Sequence, residues 1–266
     1  MSIRFSFLIL ILCSFISANA GVVVLNGLTH TYKVAKGKVY KGKVEIENTG
    51  NSPQSVKFYL QDFAYKADGT SIYSAINTNK RSNSNWITLN TNLLTLRGKE
   101  KTTIVYEIKL PEGISASGSF WSVLMVEPVD DIQPNNDKIG VSVTSVVRYA
   151  IQIITDCQSE HTSSELKFES VSVEKVDDKQ FVKVAIANNG NLFCKTIAAI
   201  EIYNRTTAEK MGTFTSVPMG LLPEMSKSFH IDISKLPPDS YNATIIATDE
   251  QDNAFAINVE LDIKND

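Results

Sequence analysis

The sequence has few of the side chains that most often carry catalysis or bind metals. It contains three histidines and three cysteines in 266 residues. The histidines, His30, His161 and His230, are widely separated, and none has a cysteine or carboxylate partner at metal-site spacing. No nucleophile elbow, zinc-protease motif or phosphate-binding glycine loop is present either. The sequence therefore predicts a protein that is not an enzyme and that has no catalytic residue, metal or cofactor.

An excess of positive charge is also missing. The chain has 26 lysines and arginines against 29 aspartates and glutamates, which gives a net charge of −3. This balance offers no basic surface for nucleic acid. After residue 20, no apolar run approaches the roughly 18 residues that indicate a membrane helix, so no integral membrane segment is expected in the mature chain.

The first twenty residues have the pattern of a secretory signal peptide. Arg4 precedes an apolar run at residues 5–16, and Ala18-Asn19-Ala20 offers a cleavage site of the small-x-small type. We therefore expect residues 1–20 to be removed during export through the Sec pathway. The mature protein would then be periplasmic or on the cell surface of a bacterium.

Only two cysteines, Cys157 and Cys194, follow the signal peptide. In an oxidising compartment such a pair is a candidate disulfide. The bond would stabilise the fold by about 4 kcal/mol if the geometry allowed it. Two buried free thiols are the alternative, and the sequence leaves both open.

A sustained helical period is absent from residue 21 onward, and short alternating runs recur instead. These runs are separated by Gly, Asn, Pro and Asp, which is typical of an immunoglobulin-like sandwich. The segment KVEIENTGN at 43–51 is matched by KVAIANNGN at 183–191, and residues 96–111 are matched by 222–237. Two matched segments in the same order indicate two copies of one sandwich.

We therefore predict an all-β fold with two immunoglobulin-like β-sandwich domains in tandem, at residues 21–157 and 158–266. A polar stretch at residues 66–85 interrupts the first domain. A loop of that length is either mobile or functional. Alternatively, Asp68-Gly69 could turn a hairpin.

The residues from Ile139 to Asp156 form the longest alternating run of the chain. Its apolar face consists of Val141, Val143, Val147, Tyr149, Ile151 and Ile153. At about 3.3 Å per residue the run would be roughly 55 Å long, which exceeds the sheet of one small domain. We expect residues 139–145 to extend outward and residues 147–153 to close the first sandwich, with Arg148 at the changeover.

Residues 21–156 resemble the first domain of periplasmic pilus-assembly chaperones of the PapD-like family. The resemblance is carried by SNWITLNTNLLTLRGKEKTTIVYEIKLPEG, by GSFWSVLMVEP and by the long strand. In that family the long strand lends alternating hydrophobic residues to a pilin subunit that lacks its own last strand. The resemblance implies that Ile139, Val141 and Val143 are the donor residues. It also implies that Arg148 anchors the terminal carboxylate of the subunit.

Two functions follow from these patterns. The first is an extracytoplasmic chaperone-like protein that binds pilus or surface-protein subunits by β-strand addition. A free apolar edge could also be covered by a second copy, as a homodimer. The second domain is similar, through residues 220–249, to WxL-interacting surface proteins. That similarity implies the alternative, a cell-surface or peptidoglycan-binding structural module without chaperone activity.

Overall fold

The computed structural model describes residues 21–113, 117–129, 146–157 and 159–264. These residues form eighteen β-strands and a single 3₁₀ turn, Ser84–Trp86. The predicted all-β fold class with two sandwiches is confirmed. The predicted signal peptide, residues 1–20, lies outside the described residues. Within the described ranges no helix is long and apolar enough to cross a membrane.

Ten strands precede residue 158 and form the first sandwich. They are β1 (Val22–Val24), β2 (Thr29–Lys33), β3 (Val39–Asn48), β4 (Gln54–Tyr65), β5 (Ser71–Ser74), β6 (Ile87–Leu89), β7 (Leu93–Leu96), β8 (Lys101–Lys109), β9 (Gly118–Val129) and β10 (Tyr149–Cys157). One sheet has the order β1-β3-β8-β6. The other has the order β2-β10-β9-β4-β5, with β7 also paired to β4.

Eight strands follow and form the second sandwich. They are β11 (Leu166–Val176), β12 (Lys179–Asn188), β13 (Cys194–Asn204), β14 (Lys210–Thr215), β15 (Met219–Leu221), β16 (Ser226–Asp232), β17 (Asp239–Asp249) and β18 (Ala254–Ile263). Their sheets have the orders β11-β12-β16 and β14-β13-β17-β18, with β15 paired to β13. Strand β10 ends at Cys157 and β11 begins at Leu166.

Period-two alternation builds each core. In β8, Ile104, Tyr106 and Ile108 are buried, while the residues between them are exposed. Similar alternation on the facing sheet completes a core that contains Val126 and Ile151. Successive side chains of a strand point to opposite faces, so these patterns bury one face of each sheet.

The repeated K-V-x-I-x-N-x-G-N segment folds the same way in both sandwiches. The side-chain amide of Asn48 donates to the carbonyl of Leu96 at 3.3 Å, and that of Asn188 donates to the carbonyl of Leu221 at 3.2 Å. Each Oδ1 accepts from the N–H of the glycine two residues later, at 2.9 and 3.0 Å. One buried asparagine therefore fixes the corresponding turn in each copy.

The structure aligns the second pair of matched segments, 96–111 and 222–237, with a shift of one residue. Because Asn48 and Asn188 are equivalent, Leu96 corresponds to Leu221, whereas the sequence comparison pairs it with Leu222. The left-handed residues agree with this shift, since Lys99 has φ 64° and Glu224 has φ 62°. The common Lys-Leu-Pro ending fixes the sequence alignment, and the segments that lead to it differ by one residue in length.

The two cysteines of the mature chain are free thiols in the structure. Cys157 belongs to the core of the first sandwich and Cys194 to the core of the second. Of the two alternatives that the sequence left open, the structure shows the buried thiols and not the disulfide. Burial raises the pKa of each thiol to about 11.

Asp68 and Gly69 turn a hairpin, which is the alternative that the sequence offered for part of the polar stretch. The N–H of Lys66 donates to Thr70 at 3.0 Å, and Gly69 has φ 88°. This turn joins β4 to β5. Lacking a side chain, Gly69 adopts the left-handed backbone conformation without steric cost.

The rest of the polar stretch is tied to β4 by the carboxylate of Asp62. This side chain is fully buried and accepts hydrogen bonds from Ser82 Oγ at 2.5 Å and from the Asn79 N–H at 2.8 Å. The side-chain amide of Asn83 then donates to the carbonyl of Ile153 on β10 at 3.0 Å. The segment is therefore an anchored part of the first sandwich.

Candidate functional site

Strand β10 has one fully paired edge and one partly open edge. Its whole length from Tyr149 to Cys157 pairs antiparallel with β9. On the other edge β2 runs parallel to it, and their pairing starts only at Gln152, opposite Thr29. The N–H of Gln152 donates to Leu28 at 2.9 Å. In the described part of the chain, no strand lies beside this edge before Gln152.

The backbone groups of Ala150 point toward this open edge. Polar groups of alternate residues in a strand face the same side. Since the N–H of Gln152 faces β2, the N–H and C=O of Ala150 face the same side, but they lie before the start of β2. Neither group has a hydrogen-bond partner among the described residues. Unpaired N–H and C=O groups at a sheet edge form a template for another strand.

The strand begins later than the sequence predicts. Val147 was expected to help close the first sandwich, but β10 starts at Tyr149, and Val147 is 61% exposed. Extending the register with β9 by two residues would place Pro128 opposite Val147. Proline has no N–H to donate, so the ladder ends where the alternation of side chains would have continued it.

Three of the predicted site residues cannot be placed. Ile139, Val141 and Val143 lie outside the described residues. The described chain resumes at Val146, which is 43% exposed and leads into Val147. Two exposed apolar residues therefore precede the open edge of β10.

Arg148 lies where its guanidinium contacts a carboxylate of its own chain. Nη1 is 3.7 Å from Oε1 of Glu127, and the arginine side chain is 56% exposed. Oε2 of Glu127 accepts a hydrogen bond from the hydroxyl of Tyr59 at 2.5 Å. Burial, together with this hydrogen bond, raises the pKa of Tyr59. The carboxylate thus holds Arg148 beside the open edge.

Sequence reasoning missed Glu127 and Tyr59. Glu127 falls opposite Arg148 only when β9 and β10 are paired in the register that ends at Tyr149 and Val126. Tyr59 joins them because β4 lies on the other side of β9. Pairing FWSVLMVEP with the long strand as a hairpin would have found the first contact, but nothing local indicates the second.

The second sandwich covers one end of the face that carries Arg148. On that face Trp121, Val123 and Ile154 pack against Phe193 and Leu222 of the second sandwich. Tyr59 and Ala150 are partly buried at the margin of this cluster. The second sandwich therefore covers the end of the sheet that contains Trp121 and Ile154.

A short relay of hydrogen bonds fixes the covered end of β10. The N–H of Phe193 donates to Oγ of Ser119 at 2.6 Å, and this Oγ donates to Asp156 at 2.6 Å. Burial raises the pKa of the Asp156 carboxyl, while the Ser119 bond acts in the opposite direction. The N–H of Ser119 also donates to Asn191 at 2.8 Å. The second sandwich is thereby joined directly to β9 and β10.

The histidines take part in structural contacts. Nδ1 of His30 lies 2.8 Å from the hydroxyl of Tyr106, and Nε2 of His230 lies 3.0 Å from Glu174. In the described ranges, no three or more His, Cys, Asp or Glu residues are grouped so as to hold a metal ion.

No protein-family model and no curated protein matches the sequence. Solved structures do resemble it. The YadV chaperone is 12% identical, with a TM-score of 0.46 over 91% of this chain and 100% of that one. A chaperone–tip adhesin complex of CFA/I fimbriae is 13% identical, with a TM-score of 0.49 over 90% of this chain and 98% of that one.

A third similar structure is the CsuC–CsuE chaperone–tip subunit pre-assembly complex of Csu pili from Acinetobacter baumannii. It is 14% identical, with a TM-score of 0.47 over 90% of this chain and 98% of that one. Each of these three matches covers about nine tenths of this chain.

Proposed function

We propose that this protein is a non-enzymatic extracytoplasmic chaperone-like protein that captures a subunit of a pilus or surface assembly by β-strand addition. The open edge of β10 carries the proposal. The N–H and C=O of Ala150 face a side on which the described chain supplies no partner. In β-strand addition, main-chain hydrogen bonds give affinity, and pockets for alternate side chains give specificity.

The captured strand would lie before the start of β2 at Thr29. There it would extend the six-stranded sheet past Gln152, pair with β10 at Ala150 and continue along Arg148. We propose that Ile139, Val141 and Val143 continue the same edge toward the partner. Exposed Val146 and Val147 support this direction, because they lead from those residues into β10.

Arg148 is the proposed anchor for an anionic group of the partner. Its guanidinium is exposed and has an exchangeable carboxylate neighbour in Glu127. An exposed ion pair of this kind contributes only about 0–1 kcal/mol, so a partner can displace it at small cost. Tyr59 would retain Glu127 after the exchange, because it donates a hydrogen bond to that carboxylate.

The proposed location of the protein follows from the expected signal peptide. Export directed by residues 1–20, with their removal, would deliver the protein to the periplasm or cell surface of a bacterium, where such subunits assemble.

The experiment replaces the proposed donor residues. A photo-crosslinking residue at position 139, installed in the native host, should trap the subunit in the parent protein. Val141→Asp combined with Val143→Asp should lower the trapped amount at least tenfold, which corresponds to about 1.4 kcal/mol. The reason is that charged side chains cannot enter apolar pockets of the subunit.

The matched control carries Val176→Asp and Val217→Asp, two valines that are 48% and 70% exposed on the second sandwich. This control should trap the parent amount, and thermal unfolding should be alike in all three proteins. Equal trapping by the donor variant would contradict the proposal. So would a parent protein that traps no protein but sediments with peptidoglycan.

A further inference from the structure

A cleft of about 360 Å³ lies between the β4–β5 hairpin, β10 and the second sandwich. Tyr65 and Lys66 line it on the first sandwich, and Lys183, Lys227 and His230 line it on the second. We call this space the basic cleft. It borders β10 at Gln152, two residues from Ala150 of the open edge, and was not indicated by the sequence.

Lys227 is the central cation of the basic cleft. Its Nζ lies 4.6 Å from the centre of the Tyr65 ring, and burial lowers the pKa of its ammonium group. Among the described residues, no carboxylate lies within salt-bridge distance of it. Lys227 is half-buried, so its ammonium group is partly withdrawn from water without a carboxylate partner, and the aromatic ring offsets only part of that cost.

The remaining charges leave the basic cleft net positive. Lys183 and His230 share one carboxylate, that of Glu174, at 3.4 and 3.0 Å. Asp68 also lines the cleft, where its carboxylate accepts a hydrogen bond from the Thr70 N–H at 2.8 Å. Lys66, Lys183 and Lys227 thus face two carboxylates, both of which already have partners.

A neutral hydrogen-bond donor completes the lining. Gln152 also lines the basic cleft, and its side-chain amide has no hydrogen-bond partner among the described residues. The hydroxyl of Ser228, in contrast, donates to Ala67 at 2.7 Å. An unpaired amide and an unpaired ammonium group that line one cleft are suited to the oxygen atoms of one anion.

We propose that the basic cleft is a binding site for an oxyanion group, a carboxylate or a phosphate, held by Lys227 and Gln152. This site goes beyond strand capture and does not depend on it. The group belongs either to a small molecule or to an acidic side chain of a polypeptide, because both present the same oxygen atoms.

Anion binding here would also strengthen the contact between the sandwiches. The hydroxyl of Tyr65 accepts the Leu222 N–H at 2.8 Å and donates to Gly220 at 3.3 Å. The ring of this tyrosine lies under Lys227. An anion that offsets the buried charge stabilises the arrangement in which Lys227 covers Tyr65.

The test measures thermal unfolding of the mature chain in sodium chloride, sodium acetate and sodium phosphate at matched ionic strength and pH. Acetate or phosphate should raise the midpoint saturably in the parent protein. Lys227→Gln should reduce this stabilisation at least tenfold at equal anion concentration, and Lys227→Arg should restore most of it. Lys195→Gln, an exposed lysine of the second sandwich, should behave as the parent.

In chloride alone, Lys227→Gln should be at least as stable as the parent, because it removes a desolvated charge. A hexaglutamate peptide that protects more strongly than acetate would assign the oxyanion to a polypeptide, and stronger protection by phosphate would assign it to a small molecule. Equal midpoints in all three salts, with hexaglutamate also without effect, would overturn the proposal. Equal stabilisation of the parent and Lys227→Gln would do the same.

Discussion

At the scale of single residues, Asn48 and Asn188 have a larger structural role than their polarity suggests. Both side chains are buried, and each amide also donates to a carbonyl of the turn, that of Ser52 for Asn48 and that of Leu192 for Asn188, both at 2.8 Å. A buried carbonyl that loses its donor bears the full desolvation penalty. The same residue therefore recurs at this turn in both sandwiches for a physical reason.

Replacing either asparagine by alanine should lower the free energy of unfolding by about 1–3 kcal/mol, because it leaves buried carbonyls unpaired. Urea denaturation of Asn48→Ala and Asn188→Ala measures the effect. Asn242→Ala is the control, since that side chain is exposed and should change stability by less than about 0.5 kcal/mol. Losses no larger than that of the control would contradict the role given to the repeat.

The two buried thiols should react slowly in the native protein. Each has a pKa of about 11, so only about one thousandth is thiolate at pH 8, and burial hinders access as well. Alkylation with iodoacetamide, followed by mass spectrometry, should label neither Cys157 nor Cys194 quickly. Without any reductant, urea should expose both to labelling. A chain that stays unlabelled in urea until reduced would show a disulfide instead.

At the scale of strands, the end of β10 shows how backbone chemistry limits a side-chain pattern. Alternation continues through Val147, but the opposite position on β9 holds Pro128, which cannot donate. Similarly, the parallel pairing of β2 with β10 starts at Gln152 and leaves Ala150 uncovered. Neither limit is visible in β10 itself, because both are set by the partner strands.

The end of β4 joins the two sandwiches through one hydroxyl. Tyr65→Phe should lower the free energy of unfolding by about 1–3 kcal/mol, since Leu222 and Gly220 would lose a buried partner. Small-angle X-ray scattering of this variant should also show a wider range of shapes than the parent. Tyr73→Phe is the control, because that side chain is 45% exposed on β5. Matching behaviour of the two variants would remove Tyr65 from the interface.

At the scale of the molecule, the fold class could be predicted because period-two alternation and turn residues are local signals. The repeated segments made the second sandwich predictable as well. The contact between sandwiches could not be predicted, because Trp121 and Val123 have the same apolar pattern whether they face a core or a neighbouring domain. The hydrogen bonds of Asp62 to the polar stretch were equally hidden, since a carboxylate buried within a strand has no local signature.

Only part of the candidate site could be predicted, because its residues come from different strands whose pairing has no local signal. Arg148 was named from the resemblance to PapD-like chaperones, but its partners Glu127 and Tyr59 come from two other strands. The open edge and the basic cleft meet on β10, where the backbone of Ala150 faces outward and the Gln152 side chain lines the cleft. A partner that adds a strand at Ala150 would therefore lie two residues from the cleft.

The central claim, strand addition at the open edge of β10, is tested most directly by removing one hydrogen-bond donor. Ala150→Pro deletes the outward N–H and leaves the ladder with β9 intact, because that N–H does not face β9. Ala150→Val keeps the donor and is the matched control. We predict that Ala150→Pro traps at least tenfold less subunit than Ala150→Val in the photo-crosslinking assay, with equal thermal stability. Equal trapping by the two variants would contradict the account.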